Sequence, residues 1–145
     1  MKSELLFGDV SQIHMSQTAL YITSVINIQD SSDSSCPPGA LCKMAYYGNV
    51  SKTLVHKYTL SGGGLAYKYS TTVDGNPMNQ YSMDEDSSGN FRLVTQNYAW
   101  SSEGSKNTTE LNIIGTSGKV IGSLKNIAPG ETFQSARFIA NRLYL

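Results

Sequence analysis

The sequence lacks the features that mark membrane-spanning and nucleic-acid-binding proteins. No apolar run approaches the roughly 18 residues that a transmembrane helix needs, and the opening MKSELLFGDV has no apolar core of signal-peptide length. Lys plus Arg number 11, as do Asp plus Glu, so there is no basic excess to attract nucleic acid. We predict a chain that neither inserts into a membrane nor binds nucleic acid, with any export signal lying outside these residues.

Cysteine is scarce too: Cys36 and Cys42, in the run CPPGALC, are the only two. Pro-Pro-Gly between them bends the chain, so a disulfide closing this short loop is geometrically feasible and favours an oxidising compartment. Two reduced thiols in a cytosolic protein are the alternative. A metal site shared with His14 or His56 is disfavoured, because both histidines fall in strand-like segments and no second cysteine pair exists. We predict no metal and no cofactor.

Helical periodicity is missing as well, whereas alternation of apolar and polar residues recurs. TLVHKYTL (53–60) and LAYKYSTTV (65–73) both alternate, and SGGG between them predicts a hairpin with a glycine loop. In the second of these strands the alternation places four residues on one face: Leu65, Tyr67, Tyr69 and Val73. The predicted fold class is therefore all-β.

The strand pattern repeats along the chain. Three segments each pair two short strands across a polar turn: SQIHMSQTALYITS (11–24), NQYSMDEDSSGNFRLVTQ (79–96) and FQSARFIANRLYL (133–145). A hairpin follows the first two segments, at 53–73 and 110–125. Four-stranded antiparallel units repeated in this way predict the blades of a partial β-propeller, about two and a half in number. A complete β-sandwich is the alternative.

The expected domain organisation follows from these repeats. We expect 1–145 to be a single fragment of a propeller domain, with blades at 10–73 and 79–125 and a half blade at 133–145. Because a propeller normally needs four or more blades to close, the fragment should expose open flanks. Such flanks predict self-association.

Four runs resemble a family of secreted bacterial and archaeal β-propeller domains distantly related to WD-repeat proteins. They are TLVHKYTL, NQYSMDE, FRLVTQ and NIAPGETFQSARFIANRLYL. The resemblance covers most of the chain from about Ser11 onward, except 29–52 and 98–109. It implies an extracytoplasmic propeller, secreted or on the cell surface, and it supplies no catalytic residues. The Trp-Asp dipeptide of true WD repeats is absent, so the partners of those proteins are not expected here.

The segments 29–52 and 98–109 are predicted to be long loops on one face of the blades, where binding residues usually lie. They carry the cysteine loop and four aromatic residues, Tyr46, Tyr47, Tyr98 and Trp100. Exposed Tyr and Trp can anchor a protein interface or stack on a sugar ring. The alternative is that these side chains only cover their own loops against the blade.

Two short motifs lie in or near these segments. Asn49-Val50-Ser51 and Asn107-Thr108-Thr109 match the N-glycosylation acceptor pattern, which makes Asn49 and Asn107 candidate glycan sites.

The acidic run DEDSSGNF (84–91) partly matches a calcium-binding loop through Asp84, Asp86 and Ser88. Its twelfth position is Thr95, where a bidentate Glu is required, and no helices are expected beside it. A polar turn between strands is therefore the favoured interpretation.

No motif of a nucleophile elbow, a zinc protease or a phosphate-binding loop occurs in the sequence, so an enzyme is disfavoured. The leading functional prediction is an extracytoplasmic interaction or scaffold module with a protein or glycan partner. The alternative is a glycan-binding or hydrolytic propeller, with its site on the face that carries 29–52 and 98–109.

Overall fold

The computed structural model describes residues 9–29, 49–101 and 104–145, which form antiparallel sheets. The predicted all-β architecture is confirmed: the only helix in these ranges is a single 3-10 turn, Gln80–Ser82. The described residues contain no helix that is long and apolar enough to cross a membrane.

The first sheet contains four strands in sequential order: β1 (Gln12–Met15), β2 (Ala19–Gln29), β3 (Asn49–Ser61) and β4 (Gly64–Asp74). β2 and β3 pair without interruption from Ala19↔Thr59 to Gln29↔Asn49. Alternation of side chains along these strands gives the sheet two different faces. One face carries buried residues such as Tyr21 and Val55, and it packs on the second sheet.

A bulge in the pairing of β3 with β4 overturns one prediction for the first sheet. The register shifts at Lys57/Tyr58, so Lys57 pairs with Tyr69 whereas Tyr58 pairs with Tyr67. An extra residue in one strand reverses the side-chain alternation beyond it. Tyr69 is therefore buried against the second sheet, whereas Tyr67 is 48% exposed on the other face. The prediction that the four apolar residues of 65–73 share one face is wrong.

The second sheet repeats the sequential order with β5 (Met83–Glu85), β6 (Phe91–Ser101), β7 (Gly104–Ile114) and β8 (Val120–Ile127). The predicted loop at 98–109 is wrong, because Tyr98 pairs with Asn107 and Trp100 with Ser105 in one long hairpin. Aromatic residues and Thr favour extended backbone, and here that preference outweighs the many small polar residues.

The other predicted loop, 29–52, is shortened at both ends by strand. β2 reaches Gln29 and β3 begins at Asn49, so the ends of this segment are extended. The intervening residues lie outside the described ranges.

The third sheet is a two-stranded hairpin, β9 (Arg137–Ile139) and β10 (Arg142–Tyr144). Its inner residues Phe138 and Leu143 pack on the second sheet, beside a small core of Val94, Phe133 and Ala136. The three sheets therefore lie in chain order, and each packs against the next.

The contact between the first and second sheets is the larger apolar core. At its centre the rings of Tyr21 and Phe91 stack with centroids 3.9 Å apart and planes 10° apart. Val55, Leu93 and Ile114 are fully buried around them. Burying side chains of this size contributes about 1.5–3 kcal/mol each, so this interface dominates the stability of the pair of sheets.

Replacing Gly118 tests how closely the two sheets approach. Gly118 lies in the β7–β8 turn at φ +86°, and a Cβ there would sit 2.8 Å from Cγ of Tyr69 on the first sheet. Gly63 has a similar φ of +78° but open space around it. We expect Gly63→Ala to cost about 1–2 kcal/mol of unfolding free energy through backbone strain alone. Gly118→Ala should cost about 1–3 kcal/mol more, because it also overpacks the interface.

Urea denaturation of both variants measures the difference. Equal losses of stability would show that the turn and Tyr69 do not pack as described.

Candidate functional site

The described structure brings together three of the residues singled out by the sequence, because Tyr98, Trp100 and Asn107 all lie in the β6–β7 hairpin. Tyr46, Tyr47, Cys36 and Cys42 lie outside the described ranges, so the aromatic surface and the disulfide stay predictions. Trp100 lies in β6, opposite Ser105 of β7. Tyr98 also lies in β6, and its side chain is 58% exposed.

The two candidate glycosylation residues both lie in strands. Asn49 is the first residue of β3, and Asn107 is a half-buried residue of β7. The side-chain nitrogen of Asn107, where a glycan would attach, donates a hydrogen bond of 3.3 Å to Oγ1 of Thr132. A glycan would replace one of the two hydrogens on this nitrogen and leave only the other to donate to Thr132. Whether either site is used stays a prediction.

The acidic run at 84–91 forms the tight polar turn between β5 and β6. Asp86 accepts hydrogen bonds of 2.9 Å from the backbone nitrogens of Ser88 and Asn90. Burial acts to raise the pKa of Asp86, but hydrogen bonds from the side chain and the backbone of Asn90 and from the backbone of Ser88 lower it. The described residues contain no group of three or more His, Cys, Asp or Glu side chains arranged to hold a metal.

A concave surface lies where the first strands of the three sheets meet. We call it the inner concavity; its volume is about 830 Å³, and it is lined by 13–15 of β1, 80–81 and 83–84 near β5, and 135–138 near β9. The 3-10 turn contacts both β1 and β9, so it bridges the outer two of these strands. A pocket of this size, built from three separate segments, matches the dimensions of a ligand site.

Asp84 lines the inner concavity, and Arg92 of the neighbouring strand β6 binds it. Nε of Arg92 donates to Oδ2 of Asp84 at 2.9 Å, and Nη2 contacts the same oxygen. Nη1 of Arg92 donates to the carbonyl of Ala140 at 2.8 Å, and the guanidinium lies 4.8 Å from the ring centroid of Phe138. Arg92 thereby holds the third sheet against the second and keeps Asp84 in place.

Glu85, the next residue, points to the opposite side of β5 and joins the second sheet to the first. Its Oε1 accepts hydrogen bonds from the hydroxyls of Thr18 at 2.7 Å and Ser16 at 3.0 Å. Its Oε2 lies 3.2 Å from Nζ of Lys57 and accepts a hydrogen bond from the hydroxyl of Tyr21. The side chains of Glu85 and Lys57 are each 7% exposed. We call these five residues the Glu85 cluster.

Electrostatics in the Glu85 cluster favour the charged carboxylate. Burial acts to raise the pKa of Glu85, but the hydrogen bonds from Tyr21, Thr18, Ser16 and Lys57 together lower it. Burial and the bond to Glu85 raise the pKa of the Tyr21 hydroxyl, which keeps it a donor.

The two adjacent carboxylates cannot act together on a ligand. Asp84 faces the inner concavity, whereas Glu85 is enclosed between sheets with both oxygens occupied. Paired acid and base catalysis needs both groups at one reacting bond. Asp84 and Glu85 therefore do not form an acid–base pair in the inner concavity. Neither Lys57 as the partner of Glu85 nor Arg92 as the partner of Asp84 was predicted from the sequence.

The whole chain, residues 1–145, matches a family model described as a beta propeller domain. The resemblance noted in the sequence and the propeller fold class are confirmed by this match. No curated protein and no solved structure matches the chain.

Removing one partner of the Glu85 cluster should destabilise the protein strongly. Lys57→Met leaves a buried carboxylate without its cation, and such a loss typically costs about 3–5 kcal/mol. Lys52→Met is the matched control, because Lys52 pairs with Asp74 at 3.4 Å with both side chains 36% or more exposed. We expect that loss to stay below about 1 kcal/mol. Equal losses in urea denaturation would contradict the role given to the cluster.

Stability should also fall in acid through Glu85. Since its pKa is lowered in the folded state, its contribution is present above the unfolded pKa and disappears as pH falls through the folded pKa. We expect Glu85→Gln to be less stable at neutral pH and to lose less stability between about pH 5 and pH 3. Unfolding free energies across that range measure this, and parallel curves for the two proteins would exclude Glu85 as the titrating group.

Proposed function

The chain belongs to the beta propeller domain family, and from that premise we propose that its three sheets are successive blades of an extracytoplasmic interaction or scaffold module. Two sheets have four strands and the third has two. On this assignment β1, β5 and β9 are the innermost strands, and the inner concavity is a sector of the central channel.

The observation that carries the proposal is the partly exposed apolar outer face of the first sheet, on the side away from the second sheet. Ile26 and Tyr67 on this face are 40% and 48% exposed. In the described part of the chain no sheet packs against this face. A large contiguous apolar surface on a folded protein marks a contact with another molecule.

The partner that best fits this face is another propeller blade, supplied by a second copy of the chain. Both sheet contacts within the chain bury the face of one sheet against the face of the next. A further sheet stacked on the first would continue the same packing, with sheets about 10 Å apart.

Charged substitutions on the outer face should weaken self-association. We expect the wild-type chain to form a dimer or larger assembly in light scattering, and Ile26→Glu with Tyr67→Glu to shift it toward monomer, because burying charge on this face is costly. Ile121→Glu is the matched control, since Ile121 is 61% exposed on β8. A monomeric wild type at all concentrations would overturn the proposed contact.

The extracytoplasmic location is supported by the resemblance to secreted propeller domains and by the predicted Cys36–Cys42 disulfide. Thiol titration of the denatured protein, before and after reduction, tests the second support. If two thiols react before reduction, the disulfide is absent and no longer supports this location.

The glycan-binding alternative has one described residue in its favour, the exposed Tyr98 of β6. Under that alternative, Tyr98→Ala should abolish binding to at least one member of a glycan panel, whereas Tyr144→Ala, at a residue that is 50% exposed, should not. A panel with no binding to the wild-type chain excludes the alternative.

A further inference from the structure

The inner concavity includes polar groups that have no partner among the described residues. Both nitrogens of Arg92 that contact Asp84 use Oδ2, so Oδ1 has no donor among the described residues. Arg137 of β9 is exposed and has neither an ion pair nor a hydrogen-bond partner in the described ranges. An acceptor and a bidentate donor are thus left open in one pocket.

The apolar part of the concavity comes from two other segments. Ile13 and Met15 of β1 are 54% and 69% exposed, and Tyr81 is 65% exposed. The position of Tyr81 is fixed because the side-chain oxygen of Asn79 caps the 3-10 turn, accepting a hydrogen bond of 3.0 Å from the Tyr81 backbone nitrogen. An adaptable thioether and a branched aliphatic chain suit apolar side chains of a ligand, whereas sugar sites favour flat aromatic surfaces.

The charge balance of the concavity is positive. Asp84 and Arg92 neutralise each other as an ion pair. Burial lowers the pKa of His14, although Asp84 and Glu85 act in the opposite direction, so the imidazole is neutral at neutral pH. Arg137 is therefore the one uncompensated charge among the described residues that line this surface.

We propose that the inner concavity binds an extended peptide segment that carries a carboxylate among apolar side chains. The carboxylate would pair with Arg137, a backbone N–H of the peptide would donate to Oδ1 of Asp84, and apolar side chains would contact Ile13, Met15 and Tyr81. This inference rests on the proposed function, because it names the partner class of the interaction module.

The test uses three sets of fluorescent hexapeptides rich in Leu, Ile and Phe, identical except for one position that carries Glu, Gln or Lys. Fluorescence anisotropy with the intact chain should show binding of the Glu set about tenfold or more tighter than the Gln set, and weakest binding of the Lys set. Arg137→Glu should remove the preference for Glu. Arg142→Glu, on the same hairpin but outside the concavity, should keep it.

The inference is overturned if the Glu and Gln sets bind equally or if the two Arg variants have equal effects. It is also overturned if acidic glycans bind in place of peptides. The Glu-to-Gln comparison needs only the wild-type chain, so it stands even if Arg137→Glu fails to fold. Light scattering on the same samples separates the two proposals: no peptide binding with self-association intact overturns only the peptide site.

Discussion

Each sheet of this chain has an apolar face that only another sheet can cover, and that constraint organises everything else in the molecule. Alternation along a strand makes one face apolar, and a single sheet in water would leave that face exposed. The stacked rings of Tyr21 and Phe91 show the solution for the first two sheets. The same need explains why the third sheet, with only two strands, packs its Phe138 and Leu143 on the second.

Local pattern predicted the parts of the fold that depend on neighbouring residues. Alternation, glycine turns and the repeated segments indicated the hairpins and the all-β class. The bulge at Lys57/Tyr58 could not be predicted in that way, since nothing in LAYKYSTTV distinguishes the extra residue from its neighbours. The hairpin through Tyr98 and Asn107 was also missed. Small polar residues are typical of loops as well as of exposed strands, so the pattern did not distinguish the two.

The candidate site was harder to predict than the fold because its residues come from distant parts of the chain. The turn containing Asp86 was predicted from adjacent residues. The partners of Glu85 were not, since Tyr21 precedes it by 64 positions. The inner concavity joins β1, β5 and β9, and its shape follows from how three sheets stack, which a single strand pattern does not contain.

The two contacts between sheets use different charged groups, and this difference specifies the order of the sheets. Lys57 meets a carboxylate at the first contact, whereas Arg92 lies over the ring of Phe138 at the second. During folding, similar repeats can dock on the wrong neighbour. If the third sheet docked on the first, Lys57 would be buried without an anion, a state that typically costs about 3–5 kcal/mol. The buried pair of Lys57 and Glu85 thus favours docking of the second sheet on the first over docking of the third.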